Sequence, residues 1–322
     1  MYYSIIIPVY NRPEEVDELL ESISRQTYRN FEVIIVEDGS TVSCESVVDK
    51  YKNVLPVFYY YKPNSGPGQT RNYGAEKCKG DYLIFLDSDC IVPENYLMSV
   101  ENELQSDKAD FFGGPDKAHD SFTKIQKAIN YSMTSLFTTG GIRGKKKGMD
   151  KFYPRSFNMG IAKAVFNEVG GFSEMRFGED IDLSIRIINK GFKSRLFPES
   201  WVYHKRRTDL KKFFKQIFNS GIARVNLYKL HPQSLKIVHL LPALFTSGLL
   251  FLPFLFPVYL FYSLLIFIDS FLKTKNVTVA LLSIITSFVQ LTAYGSGFIY
   301  AIWTVILFKQ NKKAAFSETF YD

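Results

Sequence analysis

An apolar segment runs directly into two carboxylates in Asp81-Tyr82-Leu83-Ile84-Phe85-Leu86-Asp87-Ser88-Asp89. Residues i and i+2 of an extended chain point to the same side, so the side chains of Asp87 and Asp89 are predicted to face one way where the strand ends. Hard divalent cations prefer such oxygen ligands. An isolated Asp-x-Asp is usually a solvated turn, so the prediction of a cation site depends on the surrounding sequence.

Three further apolar segments upstream have the composition of buried parallel strands. They cover residues 4–9, 31–36 and 57–61, and segments with helical periodicity follow at 13–26, 43–52 and 69–78. Strands that alternate with helices indicate an open, mostly parallel α/β sheet.

Polar turns follow the first, second and fourth of these strands. They are Tyr10-Asn11-Arg12, Glu37-Asp38-Gly39-Ser40 and Asp87-Ser88-Asp89. The carboxyl ends of parallel strands share one edge of the sheet, and ligands of open α/β sheets bind at that edge. One site is therefore predicted to contain all three turns.

The C-terminal part of the 322-residue chain is predicted to enter a membrane. Residues 240–268 and 277–308 contain no charged side chain, and each run exceeds the roughly 20 residues that span a hydrocarbon core. The first apolar stretch, 237–272, is too long for one crossing, and Pro253 and Pro257 predict a break or hairpin in it. Two to four crossings are open, and Lys309, Lys312 and Lys313 favour an even number with a cytosolic C-terminus.

No basic, signal-like segment precedes the first strand, and the three cysteines lack pairing or metal-ligand spacing. Both features predict a soluble domain in the reducing cytoplasm, attached to the inner (plasma) membrane by a multi-pass region. Residues 140–151 are rich in Gly and Lys, which is typical of either a solvated linker or a lid that orders over phosphates.

A basic segment, residues 204–236, contributes much of the net charge of +7. Its apolar residues have helical spacing, so the segment is predicted to lie in the membrane plane on anionic headgroups. Nucleic-acid binding is the other interpretation of such a patch, and the neighbouring apolar stretches disfavour it.

Five motifs in order resemble glycosyltransferase family 2, whose members are inverting, nucleotide-sugar-dependent enzymes with a GT-A fold. They are Ile6-Ile7-Pro8-Val9-Tyr10-Asn11-Arg12, Val36-Glu37-Asp38-Gly39-Ser40, Asn64-Ser65-Gly66-Pro67-Gly68-Gln69-Thr70-Arg71-Asn72-Tyr73-Gly74, Leu86-Asp87-Ser88-Asp89 and Phe177-Gly178-Glu179-Asp180-Ile181-Asp182-Leu183. The resemblance covers residues 3–224. It implies a Rossmann-like open mixed sheet flanked by helices, followed here by an amphipathic helix and transmembrane helices.

The resemblance implies that Asp38 accepts a hydrogen bond from a uracil-type base, although a cap or turn role would also suit an aspartate there. Pro8, Tyr10 and Asn11 would form the floor of the base pocket. Arg71 would approach the diphosphate or instead brace Asp38 and Asp87. The remaining predicted donor-binding residues are Asn64, Asp87, Ser88, Asn158, Glu179 and Arg206.

The resemblance also implies a catalytic base and a metal site. Asp180 would deprotonate the acceptor hydroxyl, although a carboxylate that only complements a helix dipole would fit the same position. Asp87, Asp89 and His204 would hold Mn²⁺ or Mg²⁺, and a neutral imidazole suits manganese. The Gln-x-x-Arg-Trp signature of processive members is absent, so transfer of a single sugar is expected.

These predictions divide the chain into a catalytic domain (1–203), a basic interfacial segment (204–236) and a transmembrane region with a polar tail (237–322). The expected function is metal-dependent transfer of one sugar from a nucleotide-sugar donor, expected to be UDP-linked, to a lipid-linked saccharide or glycolipid. Two other functions fit less well: a polyprenyl-phosphate glycosyl synthase, and a non-catalytic membrane scaffold with a degenerate nucleotide-binding domain.

Overall fold

A computed structural model describes residues 1–117, 122–139, 152–205 and 209–308. The chain divides into two compact units. The described part of the first unit is 1–117 and 152–204, and that of the second is 122–139, 205 and 209–308. Assignment of 122–139 to the second unit was not predicted, because the sequence expectation placed everything before residue 204 in one domain.

The first four described strands of the first unit begin and end close to the predicted bounds, and the bounds of the other six were not predicted. The described strands are β1 (Tyr3–Val9), β2 (Phe31–Asp38), β3 (Val57–Lys62), β4 (Tyr82–Leu86), β5 (Cys90–Ile91), β6 (Phe111–Gly113), β7 (Asp116–Lys117), β8 (Asn158–Ala162), β9 (Ser194–Leu196) and β10 (Val202–His204).

The α-helices of the two units, in chain order, are α1 (Pro13–Ser24), α2 (Glu45–Tyr51), α3 (Pro67–Lys77), α4 (Tyr96–Ser106), α5 (Lys124–Thr134), α6 (Leu136–Thr139), α7 (Lys163–Val169), α8 (Glu179–Asn189), α9 (Leu210–Leu230), α10 (Leu241–Gly248), α11 (Leu252–Thr274) and α12 (Val277–Ala301). Helices α5, α6 and α9–α12 belong to the second unit, and the others belong to the first.

The main sheet of the first unit is mixed, with the strand order β3-β2-β1-β4-β8-β6-β9. Strands β1 to β4 pair in parallel, and β8 is antiparallel to both β4 and β6. Because alternate residues of a strand face opposite sides, Ile5 and Ile7 enter one apolar core and Ile6 enters the other. The sheet is therefore buried on both faces, and polar groups concentrate at its carboxyl edge.

A small second sheet, β5-β10-β7, lies beside this edge. Strand β5 follows Asp89 directly, and β10 runs antiparallel to it with His204 opposite Cys90. This pairing brings two distant parts of the sequence to the same place.

In the second unit, the apolar face of α9 is covered by α12. Phe213 and Ile217 of α9 pack with Ala293 of α12 in one buried cluster. A Cβ atom on Gly221 would lie 2.2 Å from the Tyr294 carbonyl oxygen, so glycine permits this close approach. The predicted amphipathic helix is present, but its apolar face is occupied by protein, which corrects the expectation that this face lies open to a leaflet.

The first apolar stretch is broken, as predicted, but the break lies just before Pro253, whereas Pro257 lies inside the continuous helix α11. A 3-10 turn (Leu249–Phe251) separates α10 from α11. The Tyr259 hydroxyl donates to the Phe245 carbonyl oxygen at 2.7 Å, whereas a straight helix would hold residues 14 positions apart at roughly 21 Å. By length and composition alone, Ile237–Thr274 and Val277–Leu307 are candidate membrane spans.

Candidate active site

The two aspartates after β4 lie in a turn and not on an extended strand. The Cys90 amide donates to the Asp87 carbonyl oxygen at 3.1 Å and closes the turn. The prediction that Asp87 and Asp89 point the same way as residues i and i+2 of a strand was therefore wrong in its geometry, because the strand ends at Leu86. The two carboxylates pair with different arginines, Asp87 with Arg71 and Asp89 with Arg12.

Asp89 contacts one group from β10 and one from the turn after β1. Its Oδ1 lies 3.2 Å from His204 Nε2, and its Oδ2 accepts a hydrogen bond from Arg12 Nη1 at 2.9 Å. The imidazole stacks on Phe157 with a ring separation of 4.7 Å, and its Nδ1 is buried without a partner among the described residues. The carboxylate and imidazole are thus fixed beside each other.

This arrangement fits a divalent cation. Potential ligand atoms of Asp89, Cys90 and His204 lie within 4.8 Å of one another. Octahedral ligands at about 2.1 Å from a metal are roughly 3 Å apart, close to the 3.2 Å between Asp89 Oδ1 and His204 Nε2. Burial raises the pKa of the Cys90 thiol well above its usual value, which disfavours the thiolate as a ligand. Asp87 is not part of this group.

Asp87 instead belongs to a network around Arg71. The Arg71 side chain is 3% exposed, and its guanidinium donates from Nη2 to Asp87 Oδ1 at 2.6 Å and from Nη1 to Glu179 Oε1 at 3.3 Å. Of the two predicted roles for Arg71, bracing is the one observed, and it acts on Asp87 and Glu179 and not on Asp38. Arg71 thereby joins the end of β4 to the N-terminus of α8.

Replacing Arg71 with Met should destabilise the first unit by about 3 kcal/mol, because it leaves the buried Glu179 carboxyl without its cation. The value is at the low end of the usual range because the Asp87 side chain is 31% exposed. Chemical denaturation would measure the free energy of unfolding. Arg25→Met is the matched control, since the Arg25–Glu21 pair is more than half exposed and should contribute about 1 kcal/mol or less. Equal losses in the two variants would contradict the bracing role.

Burial and, to a smaller extent, the neighbouring Asp180 carboxyl raise the pKa of Glu179 to about 7, against the opposing effect of Arg71. An unfolded glutamate loses its proton near pH 4.5. Between these two values the folded state binds more protons than the unfolded state, so stability falls as the pH rises.

The melting temperature should therefore decrease between pH 5 and pH 8, and Glu179→Gln should make that decrease smaller. Glu168→Gln, which changes an exposed carboxylate paired with Lys190, is the control and should keep the wild-type pH dependence. An unchanged pH dependence in Glu179→Gln would show that this carboxyl ionises normally in the folded state.

The carboxylate of Asp180 lies in the first turn of α8 and faces Arg155. Both oxygens of Asp180 lie 3.3 Å from Arg155 Nη1, and Oδ1 also accepts from the Ile181 amide at 2.8 Å. The side chain of Asp180 is 12% exposed and that of Arg155 is 31% exposed. A solvent-accessible cation therefore covers the predicted base.

Asp38 is fully buried and anchors the loop after β3. Its Oδ1 accepts from Lys62 Nζ at 2.7 Å and from the Ser65 amide at 2.9 Å, and its Oδ2 accepts from the Gly66 amide at 2.8 Å. Gly66 has a φ of +91°, which glycine adopts readily. This geometry favours the turn role for Asp38, and its contact with a base stays a prediction.

The residues predicted to form the floor of the base pocket lie at the end of β1. Asn11 has a φ of +53°, and its Oδ1 accepts from the Thr41 and Val42 amides at 2.8 and 2.9 Å. Asn11 therefore ties this turn to the loop after β2. Pro8 is buried within β1, and Tyr10 is half-buried just beyond it.

Three predicted donor contacts differ in accessibility. Asn64 is exposed and donates to the Asp38 carbonyl oxygen at 2.9 Å. Ser88 is 5% exposed. Asn158 is fully buried, accepting from the Tyr96 hydroxyl at 2.6 Å and donating to the Ser200 carbonyl oxygen at 2.8 Å. This geometry does not favour its predicted contact with a donor sugar, because both ends of its amide are engaged inside the protein.

Some predictions lie outside the described residues, namely donor binding by Arg206, the lid or linker role of 140–151, and the charges of Lys309, Lys312 and Lys313 that favour a cytosolic C-terminus. Sequence reasoning missed the specific roles of Arg12, Lys62 and Arg155, each of which pairs with a predicted site carboxylate. A basic residue next to a polar turn was the only available signal, and it does not reveal which acid is the partner.

The profile of the family described as Glycosyl transferase family 2 matches residues 4–170. This span exceeds half of the chain. The chain belongs to glycosyltransferase family 2.

Curated relatives agree with this membership. An uncharacterised glycosyltransferase of Haemophilus influenzae is 35% identical over 193 residues, which cover 58% of this chain and 62% of the relative. Glycosyltransferase GlyG of Streptococcus pneumoniae is 29% identical over 188 residues, which cover 55% of this chain and 62% of GlyG. The match thus spans less than two thirds of either relative.

Solved structures share the fold at low sequence identity. The mannosyltransferase PcManGT of Pyrobaculum calidifontis, in complex with GDP-Man and Mn²⁺, has a TM-score of 0.62 at 14% identity and covers 94% of this chain and 87% of its own. Residues 1–349 of Staphylococcus aureus TarS, in complex with UDP-GlcNAc, have a TM-score of 0.50 at 17% identity and cover 97% of this chain and 93% of their own. The predicted GT-A fold is confirmed.

Proposed function

We propose that this protein is an inverting glycosyltransferase that moves one sugar from a nucleotide-sugar donor to a membrane-borne acceptor with the help of a divalent cation. The observation that carries the proposal is the continuous charged cluster at the carboxyl edge of the sheet. It consists of Arg12, Arg71, Asp87, Asp89, Arg155, Glu179, Asp180 and His204.

A nucleotide-sugar donor is supported by the family and by the chemistry of this edge. PcManGT and TarS share the fold, and their structures contain GDP-Man and UDP-GlcNAc respectively. Arg12 lies in the turn after β1 and its side chain is 29% exposed, so it can contribute positive charge toward a diphosphate. Either a uridine or a guanosine donor is compatible with this part of the proposal.

Asp89 and His204 are the residues that would hold the cation, and the 3.2 Å between their ligand atoms supports this role. A bound Mn²⁺ or Mg²⁺ would neutralise charge on the departing diphosphate. Arg12 now occupies the second oxygen of Asp89, so it provides the positive charge at this carboxylate when no metal is bound. Asp87, held by Arg71, would take part only by leaving that network.

Asp180 is the proposed base. Its carboxylate accepts the proton of the acceptor hydroxyl while that oxygen forms a bond to the anomeric carbon. The bond from this carbon to the diphosphate oxygen breaks, and the nucleoside diphosphate leaves with the electron pair. Attack opposite the leaving group inverts the configuration. Glu179, one residue earlier and engaged by Arg71, is placed to fix the start of α8 and not to exchange this proton.

Arg155 would have to move for Asp180 to accept a proton, because an ion pair lowers the basicity of a carboxylate. Its contacts with Asp180 are long, at 3.3 Å, and its side chain is partly exposed. An acceptor hydroxyl that displaces this guanidinium would therefore create the active base as it binds.

A membrane-borne acceptor is proposed because the same chain carries two candidate membrane spans. The chemical class that fits is a lipid-linked saccharide or glycolipid with a free sugar hydroxyl. Deprotonation by Asp180 is useful for a hydroxyl, whereas a lipid phosphate is already ionised.

The proposal is tested by incubating the full-length protein with UDP- and GDP-linked sugars, a membrane lipid extract, and either Mn²⁺ or a chelator. We expect metal-dependent appearance of a sugar-labelled lipid from one donor, and release of the nucleoside diphosphate. Failure of every donor to label lipid, despite binding of nucleotide, would contradict the membrane-borne acceptor. Labelling that is equal in the chelator would contradict the role of the metal.

A further inference from the structure

A second cluster of basic side chains lies in the second unit. It shares no residue with the charged cluster at the carboxyl edge of the sheet. Arg224 is on α9, and Lys236 and His239 are at the start of the first apolar stretch. Leu235, the residue before Lys236, packs against the buried cluster that contains Ile222 and Val225 of α9, and His239 is 7% exposed. The turn that carries Lys236 and His239 is thus packed against the part of α9 that carries Arg224.

The donors of this cluster are incompletely used. The Nε atom of Arg224 is buried and has no hydrogen-bond partner among the described residues. His239 Nδ1 accepts from the Lys236 amide at 2.9 Å, so a neutral His239 carries its proton on Nε2 as a donor. The Ser234 hydroxyl, two residues before Lys236, is also buried without a described partner.

No acid in the described part of this unit is left to neutralise these cations. Its acidic residues are Asp209 and Asp269. Asp209 caps α9 by accepting from the Lys211 and Lys212 amides, and Asp269 pairs with Lys273 at 2.7 Å. A partly buried guanidinium without a counter-ion is costly, so a bound anion would stabilise this cluster.

We propose that Arg224, Lys236 and His239 form a binding site for a phosphate group, carried by a lipid at the membrane surface. Two cations match the double negative charge of a phosphomonoester, and guanidinium groups bind phosphate oxygens in a planar, two-pronged fashion. The site adjoins residues 240–268, which contain no charge, and basic groups beside apolar spans are typical of phospholipid headgroup sites. This proposal does not depend on the transfer reaction.

The test is calorimetric titration of the detergent-solubilised, full-length protein with short-chain phosphatidic acid, and separately with inorganic phosphate. Arg224→Gln and Lys236→Gln should each weaken binding of phosphatidic acid about 10- to 100-fold, the usual loss for a hydrogen bond to a charged group. Lys229→Gln is the matched control, because Lys229 is exposed on the same helix and its replacement makes the same change in net charge. Its affinity should stay within about twofold.

Saturable binding of phosphatidic acid but not of inorganic phosphate would identify a headgroup site, and equal affinity for both would identify a site for phosphate from either source. Absence of saturable binding to wild-type protein, or equal weakening in all three variants, would overturn the proposal. Thermal melting would verify folding. Lys236 is exposed, so Lys236→Gln decides the matter if Arg224→Gln fails to fold.

Discussion

Asp180→Asn is expected to lower turnover by about 10²–10⁴-fold while nucleotide affinity changes only a few-fold. The amide cannot accept the acceptor's proton, and general bases contribute rate factors of this size. The amide is nearly the same size as the carboxylate and can still accept from the Ile181 amide, which now donates to Asp180 Oδ1 at 2.8 Å. Single-turnover transfer and calorimetry with nucleoside diphosphate would separate the two quantities.

Asp182→Asn is the matched control for this substitution. It removes a carboxylate from the same first turn of α8, so it imposes a similar loss of favourable helix-dipole charge. Asp182 pairs with Arg186 four residues later, at 2.9 Å, and has no proposed part in proton transfer. Comparable loss of turnover in the two variants, or loss of nucleotide binding in Asp180→Asn, would show that Asp180 supports the helix and is not the base.

Asp89→Ala is expected to abolish metal-dependent nucleotide binding and, with it, transfer. The substitution removes the carboxylate that lies against His204, and a single imidazole is a poor site for a hard cation. Titration of the protein with UDP or GDP, in the presence and absence of Mn²⁺, would measure the effect. Unchanged metal dependence in Asp89→Ala would end the assignment of this residue as a ligand.

Arg12→Gln provides the control for Asp89→Ala, because both substitutions break the Arg12–Asp89 ion pair. Only Asp89→Ala removes a proposed metal ligand. Arg12→Gln should keep the affinity for Mn²⁺ or increase it, since the carboxylate loses a competing cation. A loss of Mn²⁺ affinity in Arg12→Gln equal to that in Asp89→Ala would indicate that the ion pair, and not the metal, holds this site together.

The sheet and its functional edge were predictable because the signals are local. Strand β4 ends where its apolar run ends, at Leu86, and each polar turn follows its strand in the sequence. The proximity of Asp89 and His204 followed from the family resemblance. The orientation of Asp87 was left open, because it is set by Arg71 of α3, for which the sequence allowed either bracing or a diphosphate contact.

The sequence did not predict which groups pair with the charged side chains, or what covers the apolar face of α9. Arg155 lies 25 residues before Asp180, and nothing in a single sequence pairs them. The apolar face of α9 has the same pattern whether lipid or protein covers it. The glycines that allow α12 to approach, Gly221 and Gly297, were visible in the sequence, and a Cβ on Gly297 would lie 2.1 Å from the Phe218 carbonyl oxygen.

The most direct test of the central claim is the position of Mn²⁺ in crystals grown with UDP or GDP. We predict an anomalous scattering peak bonded to an Asp89 carboxylate oxygen and to His204 Nε2, with the Arg12 guanidinium displaced from Asp89 and the diphosphate on the metal. A peak with no ligand from Asp89, or nucleotide bound with the Arg12–Asp89 pair intact and no metal, would contradict it.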